Sequence, residues 1–255
     1  MCYNSWQSYF YSPYYRDQPA NFLTSFFPMI SLSSVTSPLL NSTSSKWQTA
    51  TWDDYLSYRD HPRLERVKLF YQEGYLLIEM GAEGINHASI SDLFTMIFAF
   101  WFARFPVANF SSLGRCQLEK ANHKASAPDQ VLYIGENSPR WQPGEPRRVD
   151  LNRWRVPDLV GEVSDTTLAT DLDEKKQLYA ALGIPEYWVT DVKGKQVIAF
   201  RLQENGKYEQ IEYSIALAGL PIILLEQTLE QLTQVENGLA ALWFNQKIAN
   251  INIKE

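Results

Sequence analysis

The stretch Arg155–Asp191, RVPDLVGEVSDTTLATDLDEKKQLYAALGIPEYWVTD, decides the fold. VPDLVGEVS reads as a strand, and side chains along a strand alternate between faces. Asp158, Val160, Glu162 and Ser164 therefore share one face, while Leu159, Gly161 and Val163 share the other. A helix is predicted over residues 171–182, with Asp171 as N-cap and Glu174 as its reciprocal partner three residues on. Gly183 is a natural residue to end it, with Pro185 just beyond, and EYWVTDV reads as the next strand. At about 100° per residue, Leu172, Leu178, Tyr179 and Leu182 form one apolar arc. Lys175 falls in the middle of that arc and Lys176 at its edge. An ammonium on a buried face needs a counter-charge. The carboxylates of the preceding strand are the nearest candidates.

Working outward, the remaining chain alternates in the same way. Thr51 followed by Asp54 reads as a capping box opening a short helix. RVKLFYQEGYLLIEM reads as a β-hairpin turning at Glu73-Gly74. A long helix is predicted from about Ala88 to Phe105, after GINH and before Pro106. APDQVLYIG reads as a strand and ENSPRWQPGEPR as a loop. After the opening stretch, KGKQVIAFRL and YEQIEYS form a second hairpin around Asn205-Gly206, and a helix from about Leu225 to Lys247 follows. The expected architecture is α/β, a mixed sheet flanked by helices with an N-terminal helix and hairpin, forming one domain over 47–247. Residues 1–46 read as a flexible leader, with Met29 an alternative start, and 248–255 as a tail.

Composition narrows the function classes. The chain has 255 residues, 45% of them hydrophobic, enough for one sizeable core. Its two cysteines, Cys2 and Cys116, form neither a disulfide framework nor a zinc site and suit a reducing cytoplasm. The longest apolar run, Leu93–Ala103, is about half of what a bilayer span needs, which argues against a membrane protein. A formal charge of −6 does not advertise nucleic-acid binding, although a local basic patch is compatible with it.

Two acids converging with a lysine suit metal-assisted phosphodiester hydrolysis. Carboxylates hold a hard divalent cation such as Mg²⁺ or Mn²⁺, which acidifies a bound water, and the lysine orients that water. A structural ion pair between a strand and its packed helix uses the same residues. By geometry alone the structural ion pair stands at least even with the catalytic reading.

The stretch VPDLVGEVSDTTLATDLDEKKQLYAALGIPEYWVTD, with IEMGAEGINHA, Pro128-Asp129 and LAGLPIILLEQTLEQL, resembles the Uma2 family of the PD-(D/E)xK nuclease superfamily, abundant in cyanobacteria. The resemblance implies a restriction-endonuclease-like fold and a metal-dependent DNA endonuclease. Asp129 matches the first metal-binding acid of the superfamily and Glu162 the second, with the Val163 carbonyl a candidate third ligand. Ser164 occupies the usual lysine position, a departure, and Lys175 on the following helix matches the lysine that this family supplies instead. Asp158 is a candidate for supporting or replacing Asp129. His87 matches a family histidine, read equally as a site group or a capping histidine, and Glu79 points to the same region. Many relatives carry a Glu where this chain has Phe70.

Other readings compete. A binding module of nuclease ancestry and a structural protein with a buried ion pair both fit the residues. Arg147, Arg148, Arg153 and Arg155 read as phosphate contacts or, more ordinarily, as a solvated loop. Trp141, Trp154, Trp188 and Trp243 read as packing residues. A homodimer joined through Leu239–Phe244 is expected on the ground that duplex cleavage needs two sites.

Overall fold

The structure is a computed structural model that describes residues 46–62, 67–80 and 83–251. The leader expected over 1–46, Met29 included, lies outside the described residues except for Lys46, as do the last four residues of the expected tail.

In chain order the elements are β1 (Gln48–Thr49), α1 (Trp52–Arg59), β2 (Val67–Gln72), β3 (Tyr75–Met80), α2 (Ile85–Arg104) and β4 (Phe110–Ser112). Then come β5 (Leu118–Lys120), β6 (Lys124–Ser126), β7 (Gln130–Ile134), β8 (Val149–Asp150), β9 (Leu159–Ser164), α3 (Leu168–Leu172) and α4 (Glu174–Leu182). β10 (Glu186–Asp191), β11 (Gln196–Leu202), β12 (Tyr208–Ile211), α5 (Ile222–Leu232) and α6 (Asn237–Ile248) complete the described chain. The class is mixed α/β, as the pattern implied. The strands divide between two six-stranded mixed sheets, ordered β1-β3-β2-β6-β5-β8 and β12-β11-β10-β9-β7-β4.

β9 is the strand that organises the second sheet. It runs parallel to β10, with Glu162 opposite Val189, and antiparallel to β7, with Val160 opposite Val131. All six of its residues are buried, because both faces are covered. Leu159 and Val163 join Leu132, Trp188 and Ala199 under α2, α5 and α6, packed by Phe94, Phe98, Trp101, Leu225 and Phe244. Val160 faces the opposite way, into a second core with Val131, Tyr133, Tyr187, Val189 and the α4 residues Leu178, Tyr179 and Leu182. Phe70 and Leu77 of the hairpin and Leu118 of β5 close this second core. The strand alternation read from the sequence thus sends Glu162 toward α4, into the layer between the two sheets.

Local signals explain most boundaries. Thr51 and Asp54 form the predicted capping box at α1. The first hairpin turns at Glu73 and Gly74 with φ of 50° and 83°, the paired positive angles of a tight primed turn. Gly183 ends α4 in the left-handed region at φ 78°, where a glycine has no Cβ penalty.

Three boundaries differ from the sequence reading. α2 starts at Ile85 rather than Ala88, so His87 belongs to its first turn. The helix predicted over 171–182 is two helices broken at Asp173 (φ −120°, ψ −87°), and Asp171 lies inside α3 rather than capping α4. The helix predicted over 225–247 is α5 and α6, separated after Leu232. The break at Asp173 arises where Asp171 has tertiary partners, Ser164 and Lys175, that outweigh local propensity.

Candidate active site

Parity along the strands builds the site. Asp129 directly precedes β7 and has the parity of Val131 and Tyr133, which places it on the face that Glu162 occupies in β9. Its Oδ2 accepts the Val163 N–H at 2.8 Å, which joins the two strands at the site. Lys68 of β2 stands opposite Glu79 of β3 in the hairpin register, and the pair shares a face with Phe70 and Leu77. The first turn of α2 adds His87, four residues after Glu83.

Two adjoining charge clusters result. Around Asp129, Oδ1 pairs with Lys68 Nζ and lies 3.1 Å from His87 Nε2, a close contact off the hydrogen-bond direction. Lys68 Nζ is also 3.4 Å from Glu83 Oε1, and Arg115 Nε is 3.1 Å from Glu83 Oε2. One ligand atom each from Glu83, His87 and Asp129 lies within 4.8 Å of the others, an arrangement able to hold a metal ion.

Around Lys175, Nζ is 2.9 Å from Glu79 Oε1, 2.9 Å from Asp171 Oδ1 and 3.7 Å from Glu162 Oε2. Its ammonium also lies 4.2 Å from the Phe70 ring centroid. Lys175 is 1% exposed, so the helical-wheel expectation of a buried lysine is met. Tyr179 Oη donates to Glu162 Oε1. Asp171 Oδ2 accepts from the hydroxyls of Ser164 and Thr167, the latter at 2.6 Å.

Burial and charge set the protonation states. Burial pushes the Glu162 carboxyl well above its ordinary range, Lys175 opposes this, and Asp129 and Asp171 add to it. Burial also acts to raise Asp129, yet His87 and Lys68 outweigh it and hold that carboxyl well below the usual range. Burial disfavours charge on Lys175, but Glu162, Glu79 and Asp171 reverse the balance and keep it an ammonium. Lys68 is likewise held charged, with burial outweighed by Asp129 and Glu162. Two neighbouring acids with opposite displacements are the pattern by which a site sets up separate roles for chemically similar groups.

The structure brings together Asp129, Glu162, Lys175, Glu79, His87 and Ser164 from the sequence reading. It does not bring Asp158 to them. The Asp158 carboxylate accepts from Arg155 Nη1 at 2.8 Å and from the Ile134 N–H at 2.6 Å, at the entry of β9. Four residues of strand separate Asp158 from Glu162, about 13 Å, too far for both to hold one ion. Sequence reasoning missed Lys68, Glu83, Asp171 as a site group and the Tyr179 hydroxyl. Glu83 was legible as the i, i+4 partner of His87 across the helix start. Lys68 was legible as the cross-strand partner of Glu79.

Residues 52–241 match the family Uma2, described as "putative restriction endonuclease". The chain belongs to the Uma2 family. Among solved structures it is similar to a "putative nuclease belonging to DUF820" from Anabaena variabilis ATCC 29413, at 19% identity and a TM-score of 0.50. That match covers 70% of this chain and 98% of the other, and at this identity it speaks to the fold. No curated protein matches. Among the described residues no helix is long and apolar enough to cross a membrane.

Proposed function

We propose that this Uma2 protein is a metal-dependent endodeoxyribonuclease that hydrolyses phosphodiester bonds in DNA. The observation that carries the reading is the charge of the buried layer. Glu79, Glu83, Asp129, Glu162 and Asp171 meet there, against Lys68 and Lys175, with the half-exposed Arg115 reaching Glu83 from outside. Surplus buried carboxylate charge is costly unless a proton or a cation neutralises it. Glu83, His87 and Asp129 offer ligand atoms within 4.8 Å of one another; Asp129 with Glu162 is the all-oxygen pair that would suit a hard divalent cation, Mg²⁺ or Mn²⁺, with the Val163 carbonyl a further candidate ligand. When bound, the ion supplies charge stabilisation at the phosphate and a more acidic water.

The chain's own residues supply the rest of the mechanism. Lys175 holds Glu162 between itself and the Tyr179 hydroxyl, fixing the direction of a carboxylate that would help hold the cation. Asp171 and Glu79 hold the ammonium from its other sides. Through Glu162, and by its positive charge, Lys175 orients the attacking water and offsets negative charge developing on the phosphate. Lys68 must release Asp129 before a metal is held there.

The contact between Lys68 and Asp129 favours a second reading, in which the ammonium serves as a built-in counter-ion and the fold binds nucleic acid or protein without cleavage. Cleavage of supercoiled plasmid in Mn²⁺ and in EDTA separates the two. The nuclease reading expects metal-dependent nicking that falls by orders of magnitude in Asp129→Asn and Glu162→Gln. Wild-type rates in both variants would refute it.

A further inference from the structure

We propose that a pocket beside the site, walled by the loop of residues 139–154 and the turn Leu113–Cys116, seats one unpaired nucleotide of a nucleic-acid strand. This deepens the nuclease reading and rests on its claim that the substrate is nucleic acid.

The pocket has a volume of about 360 Å³, within the range of small-ligand sites. Its aromatic component departs from the packing role expected of Trp141. That side chain is 55% exposed, yet its Nε1 donates to the Glu145 carbonyl at 2.8 Å, which fixes the ring in place. The Arg147 guanidinium lies 5.9 Å from the Trp141 ring centroid. Trp154 lines the pocket as well, with Arg153 4.9 Å from its ring. A pinned, exposed indole is a stacking platform whose ordering cost is already met.

The charge of the loop complements phosphate. Residues 140–155 carry five arginines against Glu145 and Asp150, in a chain whose formal charge is −6. Arg153 pairs with Glu145, the acid that lines the pocket, and Arg155 pairs with Asp158. Arg148 is 3.4 Å from Glu119, which Arg59 also engages. Arg140 and Arg147 are exposed at the pocket, and no carboxylate pairs with them among the described residues. Positive charge with no carboxylate partner among the described residues, next to a fixed aromatic face, matches the two halves of a nucleotide. A base inside a duplex has both faces stacked, so the base that lies on Trp141 is unpaired.

The wall of the pocket is fastened to the site. Leu113 and Cys116 line the pocket, and Arg115 between them donates its N–H to Pro128 O at 2.9 Å and pairs with Glu83. A Cβ on Gly114 would come within 2.6 Å of the Asp129 carbonyl, so only glycine lets this turn lie so close to the Asp129 peptide. A strand passing Asp129 therefore has the pocket as its neighbour.

The test is fluorescence anisotropy of full-length protein with labelled dT8, rU8 and a blunt 16-bp duplex, all in EDTA so that no turnover occurs. The wild type is expected to bind an octamer, and its preference between dT8 and rU8 names the sugar. Trp141→Ala should weaken that binding about tenfold, with Trp141→Phe retaining most of it, and should leave duplex binding almost unchanged. Arg140→Ala and Arg147→Ala should each flatten the dependence of log affinity on log salt by about 0.7. Arg201→Ala, exposed on β11, is the control for general charge and should change nothing. Wild-type octamer affinity in Trp141→Ala, or no octamer binding by the wild type, would overturn the pocket. Plasmid cleavage with a silent pocket would spare the nuclease reading. Octamer binding without cleavage would spare the pocket.

Discussion

Lys175→Met should destabilise the protein by about 3 kcal/mol, whatever its role in chemistry. Removing one partner of a buried ion pair costs roughly 3–5 kcal/mol, because the other partner is left charged and unpaired. Three carboxylates face Lys175, and their circumstances differ. Glu79 is 15% exposed and can turn toward water, whereas Glu162 and Asp171 are 2% and 1% exposed and cannot. Asp171 retains the hydroxyls of Ser164 and Thr167, and Glu162 retains Tyr179. These remaining donors place the loss at the low end of the range. For a domain of this size, about 2–4 °C per kcal/mol converts it to a fall in Tm of roughly 6–12 °C. Thermal and urea melts at neutral pH measure it, with Lys176→Met as control. Lys176 lies 4.7 Å over the Phe200 ring and should cost only about 0.5–1 kcal/mol. The gap between Lys175→Met and wild type should narrow in acid, where Glu162, whose carboxyl burial pushes up, takes its proton and no longer needs the ammonium. A Lys175→Met protein within about 1 kcal/mol of wild type at neutral pH would refute the reasoning. Any loss of cleavage in this variant must be normalised to folded protein.

Calorimetry of Mn²⁺ binding to Lys68→Met should show tighter binding than to wild type, because Asp129 no longer has to give up an ammonium; unchanged or weaker binding would exclude Lys68 as the competing cation. Glu162→Gln should lose most Mn²⁺ affinity, and equal affinity in variant and wild type would sink the acid pair as the metal site. Without metal, Glu162→Gln should also gain stability relative to wild type as pH rises above 4.5. The folded Glu162 holds its proton more tightly than the unfolded chain does, so its contribution is full below 4.5 and is lost as pH rises through the folded value. Urea melts from acid to neutral pH check the sign. A homodimer through α6 would use Leu239 and Leu242, 52% and 48% exposed, since Phe244 is buried in its own domain; light scattering should give twice the 29.4 kDa chain mass, and a monomer at high concentration would rule it out.

What was legible in the sequence, and what was not, follows from the range of the signal. Periodicity of two placed Glu162 on the face opposite Leu159 and Val163, and periodicity of 3.6 placed Lys175 on the buried arc with Leu178, Tyr179 and Leu182. Both are repeats within a single element, so local geometry suffices. The capping box at Thr51 and the stop at Gly183 were legible for the same reason. Asp171 shows where that logic fails. Its spacing to Glu174 is that of a capping box, yet its carboxylate accepts from Ser164 and Thr167 and pairs with Lys175. A cap is worth about 1 kcal/mol. Leaving a buried ammonium without one of its counter-charges costs several times that. The stronger requirement turns Asp171 inward and breaks the helix at Asp173. Lys68 fails for a related reason. In isolation it is a polar residue alternating with apolar ones on a hairpin, an ordinary solvent-facing position. Its register opposite Glu79 follows from the turn at Glu73-Gly74, but its contact with Asp129, 61 residues away, exists only once the hairpin and β7 have packed. The groups that neutralise a buried site come from several elements, and no one-dimensional period in the sequence links them.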